Sequence, residues 1–232
     1  MSRTANVVRL QLINKQTYIW VPLMVLGGAL LITIAIYAIL RASDIPPGPL
    51  YGGGSQAPLW VFFFVGIQAL TLSFPFSQAL SITRREFYLG TVLTAALASV
   101  LLGVVFVVGG FIEELTDGWG LNGYFFRLDW VWENGAAAAG LFYFTLALMC
   151  FVLGFWFATI YKRFGSLGLT TTLVGLGVLL VAALFVIGQA NAWVQVFTWF
   201  AEQGALGLTL WGLLVIAVLT AVSYLTLRRT VP

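Results

Sequence analysis

Arg84 and Arg85 stand side by side in a short polar turn between two long apolar runs, followed at once by Glu86 and Phe87. A second basic pair, Lys162 and Arg163, fills another short turn. Exposed guanidinium and ammonium groups of this kind pair with anionic lipid headgroups or with acidic surfaces on a partner. They also act as retention signals, which any loop on the cytoplasmic face of a membrane supplies. Nothing in the pattern points to nucleic acid. Other chemistries are missing from the chain. No histidine occurs in 232 residues, which removes histidine-ligated metal sites, Ser-His and Cys-His nucleophile pairs and histidine proton relays. Cys150 is the one cysteine, so no internal disulfide forms. No Gly-x-x-x-x-Gly-Lys-Ser/Thr loop is present to cradle nucleotide phosphates. No catalytic set and no metal site are assigned, and the chain by itself is not expected to be an enzyme.

The elements that must hold these pairs are long and apolar. The chain is 61% apolar and 8% charged, with a mean hydropathy of +1.00. That composition belongs to an integral membrane protein. The charges are sorted by side. Of eleven basic residues, nine (Arg3, Arg9, Lys15, Arg84, Arg85, Lys162, Arg163, Arg228 and Arg229) lie in alternate gaps between apolar runs. Of eight acids, seven (Asp44, Glu113, Glu114, Asp117, Asp129, Glu133 and Glu202) lie in the other gaps. Cytoplasmic loops retain Lys and Arg, so the pattern predicts six crossings with both termini in the cytoplasm. The expected fold is an all-α integral membrane protein with spans near 20–40, 58–80, 88–112, 135–161, 167–188 and 206–227. Residues 1–232 form a single domain: an N-terminal cytoplasmic segment over 1–19 and a six-span bundle over 20–227.

Local signals refine that layout. Val8, Leu12 and Ile19 place a weak apolar face on the lead-in, which predicts a helix lying at the membrane surface. Pro75 falls near the inner end of the second span, where its missing N–H predicts a kink. The loop 113–134 is acidic and carries Trp119, Tyr124, Phe125, Phe126, Trp130 and Trp132. Aromatics at that density beside a span read as an interfacial belt. Trp193, Phe197 and Phe200 recur at helical spacing opposite Gln195 and Glu202, which predicts a short amphipathic helix over 190–205 on the outer leaflet. Thr91, Ala95, Ser99 and Gly103 put a small residue at every fourth position of the third span, a strip suited to close internal packing. No Asp, Glu, Lys or Arg lies near the middle of any span. Mid-membrane charges mark ion and proton paths, so their absence argues against an ion-coupled transporter, a voltage sensor or a pump.

The run from Gln78 to Thr91 reads QALSITRREFYLGT: a short polar turn, a basic pair, an acid and an aromatic leading directly into a span. It resembles the inner loop of the ABC type-2 permease family, the membrane subunits of ABC exporters. The six-span layout and the short amphipathic helix before the last span are similar to that family as well. The resemblance implies a complex of two membrane subunits and two cytoplasmic ATP-binding subunits. The second membrane subunit would be another copy of this chain or a paralogous permease. ATP and Mg would sit on the partner ATPase, and no cofactor on this chain. Residues 81–87 would form a coupling helix, with Thr83, Arg84, Arg85, Glu86 and Phe87 at the ATPase surface. Arg84 and Arg85 would face acidic groups and Phe87 an apolar pocket. Lys162 and Arg163 would supply a second inner contact. Phe62, Phe63, Phe64 and Gln68 of the second span would line a route for hydrophobic or amphipathic cargo (lipid, drug or peptide). The location implied is a bacterial inner membrane.

Two other classes fit the sequence. One is a small substrate-binding membrane component of a vitamin or metal importer, which would need a polar, specific pocket. The other is a non-transport membrane protein, such as an immunity or assembly factor.

Overall fold

The computed structural model describes residues 7–9, 11, 15–43 and 48–228. Arg3, Leu12, Asp44 and Arg229, all named above, lie outside the described residues. Among the described residues the chain is helical apart from one pair of two-residue strands and short connecting turns and loops, and five helical stretches are long and apolar enough to cross a membrane. Helix α1 covers Val21–Ala42 and continues a π-helical turn at Gln16–Trp20. The second stretch is divided: α2 covers Ala57–Gln68, a π-helical turn Ala69–Ser73, and α3 Phe74–Ala79. Pro58 sits in a first turn, where no intrahelical donor is lost, whereas Pro75 lies inside the continuous helical stretch Gly53–Ala79 and lacks a donor there. The expected break at Pro75 thus takes the form of a widened turn just before it.

Helix α4 runs from Arg84 to Leu115. Four-residue α5 (Asp129–Trp132) precedes α6 (Gly135–Gln189) and α7 (Trp193–Arg228). At 55 residues, α6 is about 80 Å of helix, over twice the ~30 Å of a hydrocarbon core. It is interrupted at Gly165, whose φ of 72° is open to glycine and costly for other residues. Gly204, at φ 58°, likewise divides α7 into a short helix before it and a long apolar helix after it. The short helix stands where the amphipathic pattern predicts one, separated from α6 by a turn at Ala190–Ala192 in which Asn191 has φ 49°.

The core is built around the first half of α6, which packs against α2, α4 and α7. Gly66 lies on the backbone of Phe151 and Phe155, and Gly154 lies on the backbone of Phe63, so α2 and α6 cross with almost no side chain between them. Thr91, Ala95, Ser99 and Gly103 are all buried, and a Cβ on Gly103 would stand 2.8 Å from the Gly140 carbonyl. The small-residue strip is therefore an internal helix contact. Aromatic clusters fill the remaining space, with Phe74 on Phe87, Tyr88 between Phe155 and Tyr224, and Phe106 between Tyr143 and Phe126. Val7 and Gln11 of the lead-in are buried too, and the Gln11 Nε2 donates to the Thr91 hydroxyl at 2.6 Å. By contrast, the apolar residues of the second half of α6, among them Leu179, Val181 and Phe185, are mostly exposed.

Candidate functional site

Two places gather the polar groups: the basic turn before α4, and the loops at the opposite end of the bundle. The basic turn is tight. Ser81 takes a left-handed backbone (φ 55°), its N–H donates to the Gln78 carbonyl, and Thr83 starts α4 directly. Thr83 and Glu86 form a capping box: the Glu86 N–H donates to the Thr83 hydroxyl at 3.3 Å and the Thr83 N–H to the Glu86 carboxylate at 3.1 Å. Such a cap satisfies two donors that the helix leaves open. The structure thus has no separate helix over 81–87, because the cap begins the long helix at Arg84 and leaves only a turn over 80–83.

The two arginines divide. Arg84 donates from Nη1 to the carbonyls of Leu227 at 3.5 Å and Arg228 at 3.2 Å, capping the end of α7. Arg85 is exposed. Phe87 is fully buried with its ring 5.2 Å from that of Phe74, so it packs inside this chain and leaves nothing to seat in a partner's pocket. Its place in the first turn of α4, facing the bundle, is the physical reason. Lys162 and Arg163 are exposed just before the Gly165 break, with the Arg163 guanidinium 4.8 Å from the Phe164 ring centroid. The residues expected to line a route also separate. Phe62 is buried in the core and Phe63 packs edge-on to Phe157, whereas Phe64 and Gln68 are exposed one turn apart on the face that carries Trp60 and Leu72. Phe64, Val65 and Gln68 line a cavity of about 380 Å³ with Gln16, Thr17 and Val21. Trp193, Phe197 and Phe200 are exposed along the short helix, with Trp193 and Phe197 stacked at 6.2 Å, and Gln195 and Glu202 are exposed as well.

At the opposite end the loops form a cap. Strands β1 (Leu50–Tyr51) and β2 (Gly123–Tyr124) pair in parallel and join the first and second loops. Tyr51 stacks on Tyr124 and donates to the Asp129 carboxylate at 2.7 Å. That bond holds the phenol above its ordinary pKa, because losing the proton would set an anion beside a carboxylate. The Tyr37 hydroxyl donates to the Tyr124 carbonyl at 3.0 Å. Both basic residues that depart from the sorted pattern serve here. Arg41 donates to the Leu121 carbonyl at 2.8 Å, and Arg127 pairs with Glu114 and lies over the Trp132 ring.

The centre of the cap is Glu113, which has no exposed surface. Oε1 accepts from the Trp119 indole at 2.7 Å and the Phe125 N–H at 2.7 Å. Oε2 accepts from the N–H of Phe126 at 2.8 Å and of Arg127 at 2.7 Å. These bonds fold the aromatic loop inward. Phe125, Phe126 and Trp132 are buried, and the Trp132 indole and the Tyr143 hydroxyl both donate to the Phe126 carbonyl. The belt expected over 113–134 is thus largely an internal plug, with Trp130 the large aromatic left exposed. No local pattern separates a ring that faces lipid from one drawn inward by a distant carboxylate. Glu113 itself reads in the sequence as one more loop acid. Among the described residues no three His, Cys, Asp or Glu side chains group as metal ligands.

Comparison of the chain with protein-family models, with curated proteins and with solved structures finds no match.

Proposed function

We propose that this chain is a transmembrane subunit of an ATP-driven exporter for hydrophobic or amphipathic cargo, in a bacterial inner membrane. Counting α6 as two crossings divided at Gly165 gives six spans, with the basic turns and both termini in the cytoplasm. One observation carries the reading: the exposed basic turn is wired to two spans at once. Thr83 and Glu86 fix it to the start of α4, and Arg84 fixes it to the end of α7. A push applied at Arg85 therefore reaches both helices without passing through a flexible joint. Energy comes from a separate ATPase, because this chain has no phosphate-cradling loop. Two such subunits would dock at Arg85, Lys162 and Arg163. The face of Trp60, Phe64 and Gln68 meets the cargo, opposite a second copy or a paralogous permease.

The test is co-expression with an ATP-binding subunit encoded beside this chain. Arg85→Glu and the pair Lys162→Glu with Arg163→Glu should release that subunit or uncouple its hydrolysis. Charge reversal at partly buried ion contacts removes bonds worth about 1.5–3 kcal/mol each and adds repulsion. Variants that insert correctly and still bind and stimulate the ATPase fully would refute the assignment.

A further inference from the structure

We propose that residues 116–127 are a latched plug over the acid-rich end of the bundle, with the Glu113 carboxylate as the latch. The segment has two states: sealed, with its amides on Glu113, and released, with Phe125 and Phe126 withdrawn. This stands on the geometry of the cap and is independent of the transport reading.

The first observation is strain. Asp117 (φ 47°), Trp119 (φ 62°) and Asn122 (φ 51°) are all left-handed, within six residues that also hold Gly118 and Gly120 at positive φ. Asn and Asp visit that region with modest cost, but a bulky residue such as Trp is a true outlier there. Such backbone persists only where surrounding contacts over-determine it. Trp119 is held by its indole N–H on Glu113 and by its backbone N–H on the Thr116 hydroxyl, and the first of these ties the strained turn to the carboxylate.

The second observation is how the carboxylate is satisfied. Each oxygen takes two N–H donors, and three of the four are the consecutive amides of Phe125, Phe126 and Arg127. The neighbouring cation is directed elsewhere, since the Arg127 guanidinium is on Glu114. One ionised side chain thus holds both the strained turn and the plug backbone. Charge-assisted bonds of this type are stronger than neutral ones. A neutral carboxamide cannot replace it: its one oxygen accepts two donors, and its NH2 faces the other donors with hydrogens of its own.

The third observation is the seat. The Phe126 ring lies on Gly109, where a Cβ would come within 2.7 Å of it, and 5.3 Å from the Phe106 ring. Phe125 approaches Gly54 of the first loop. The seat is lined by ring faces and glycines, shaped for the plug and left open by its withdrawal. The Trp132 indole and the Tyr143 hydroxyl, both on the Phe126 carbonyl, must release with the plug, whereas the ties from Tyr37 to the Tyr124 carbonyl and from Arg41 to the Leu121 carbonyl, with the β1–β2 pairing, hold the rim to α1 and the first loop. They keep the loop tethered when the plug leaves.

Hydrogen exchange of the full chain in lipid nanodiscs tests this in four samples: wild type, Glu113→Gln, Trp119→Phe and Glu114→Gln. In Glu113→Gln, amides 125–127 should exchange at least about tenfold faster, since two donors lose their acceptor. Amides in the middle of α4 should be unchanged. Trp119→Phe keeps the ring and removes one donor, so acceleration should be confined to 116–122. Glu114→Gln should match wild type over 116–127 apart from Arg127, whose side chain it frees. Unchanged protection at 125–127 in Glu113→Gln would overturn the proposal. So would acceleration throughout the bundle or failure to fold, because a latch leaves the bundle intact. No acceleration over 116–122 in Trp119→Phe would overturn it as well.

Discussion

The crossing of α2 and α6 gives a prediction whose sign reverses along one helix. A methyl group on Gly154 would be driven into the Phe63 carbonyl, with the carbonyl carbon at 2.9 Å. A methyl group on Gly66 would be driven into the Phe151 carbonyl, with the Phe155 nitrogen at 3.0 Å. Neither obstacle is a side-chain end that can swing away, so the helices themselves must separate. Overpacking of this kind costs about 1–3 kcal/mol, and the separated backbones lose close contacts as well. Gly154→Ala and Gly66→Ala should each destabilise the chain in that range. Together they should cost less than their sum, since one separation relieves both clashes. Beyond Gly165 the same change meets open space: a Cβ on Gly175 or Gly177 has nothing within 4 Å. There Gly→Ala should be neutral or stabilising by up to about 1 kcal/mol through reduced backbone freedom. Equilibrium unfolding of the full chain in bicelles, read for all five variants, measures the differences. Gly154→Ala behaving like Gly175→Ala would refute the close crossing.

Two further predictions concern the opposite ends of the bundle. Asp117→Cys and Arg163→Cys, each in a Cys150→Ala background, should label with an impermeant thiol reagent from opposite faces of intact cells; labelling from one face would sink the six-span layout. The Tyr51–Asp129 bond should also impose a pH dependence. The Tyr51 pKa is raised above 10.0 in the folded chain, so its contribution is present below that pH and is lost as pH climbs through the raised value. In Asp129→Asn, tyrosinate absorbance should show the Tyr51 titration falling back toward 10.0; an unchanged titration would contradict the assigned hydrogen bond.

Local composition carries most of the element layout. The helix breaks at Gly165 and Gly204 fall where polar or amphipathic residues interrupt apolar runs, and a glycine at positive φ is the means in both cases. The strip from Thr91 to Gly103 is periodic, and periodicity is visible in a sequence. What a sequence hides is the partner across the bundle. Phe87 beside two arginines looks exposed, but Phe74 covers it. Glu86 looks like part of a docking surface, yet it caps its own helix, a role that the Thr-x-x-Glu spacing does announce. Phe125 and Phe126 take their direction from Glu113, twelve and thirteen residues earlier, through bonds that no periodicity encodes.

The Arg84 contact has a bearing on biogenesis. Its acceptors, the carbonyls of Leu227 and Arg228, lie 143 and 144 residues further along the chain. During synthesis Arg84 is therefore made long before the groups it caps. The bundle stays open at that seam until the final helix leaves the ribosome and inserts. A prematurely terminated chain leaves this arginine without those acceptors, a local mark that distinguishes an unfinished product from a finished one.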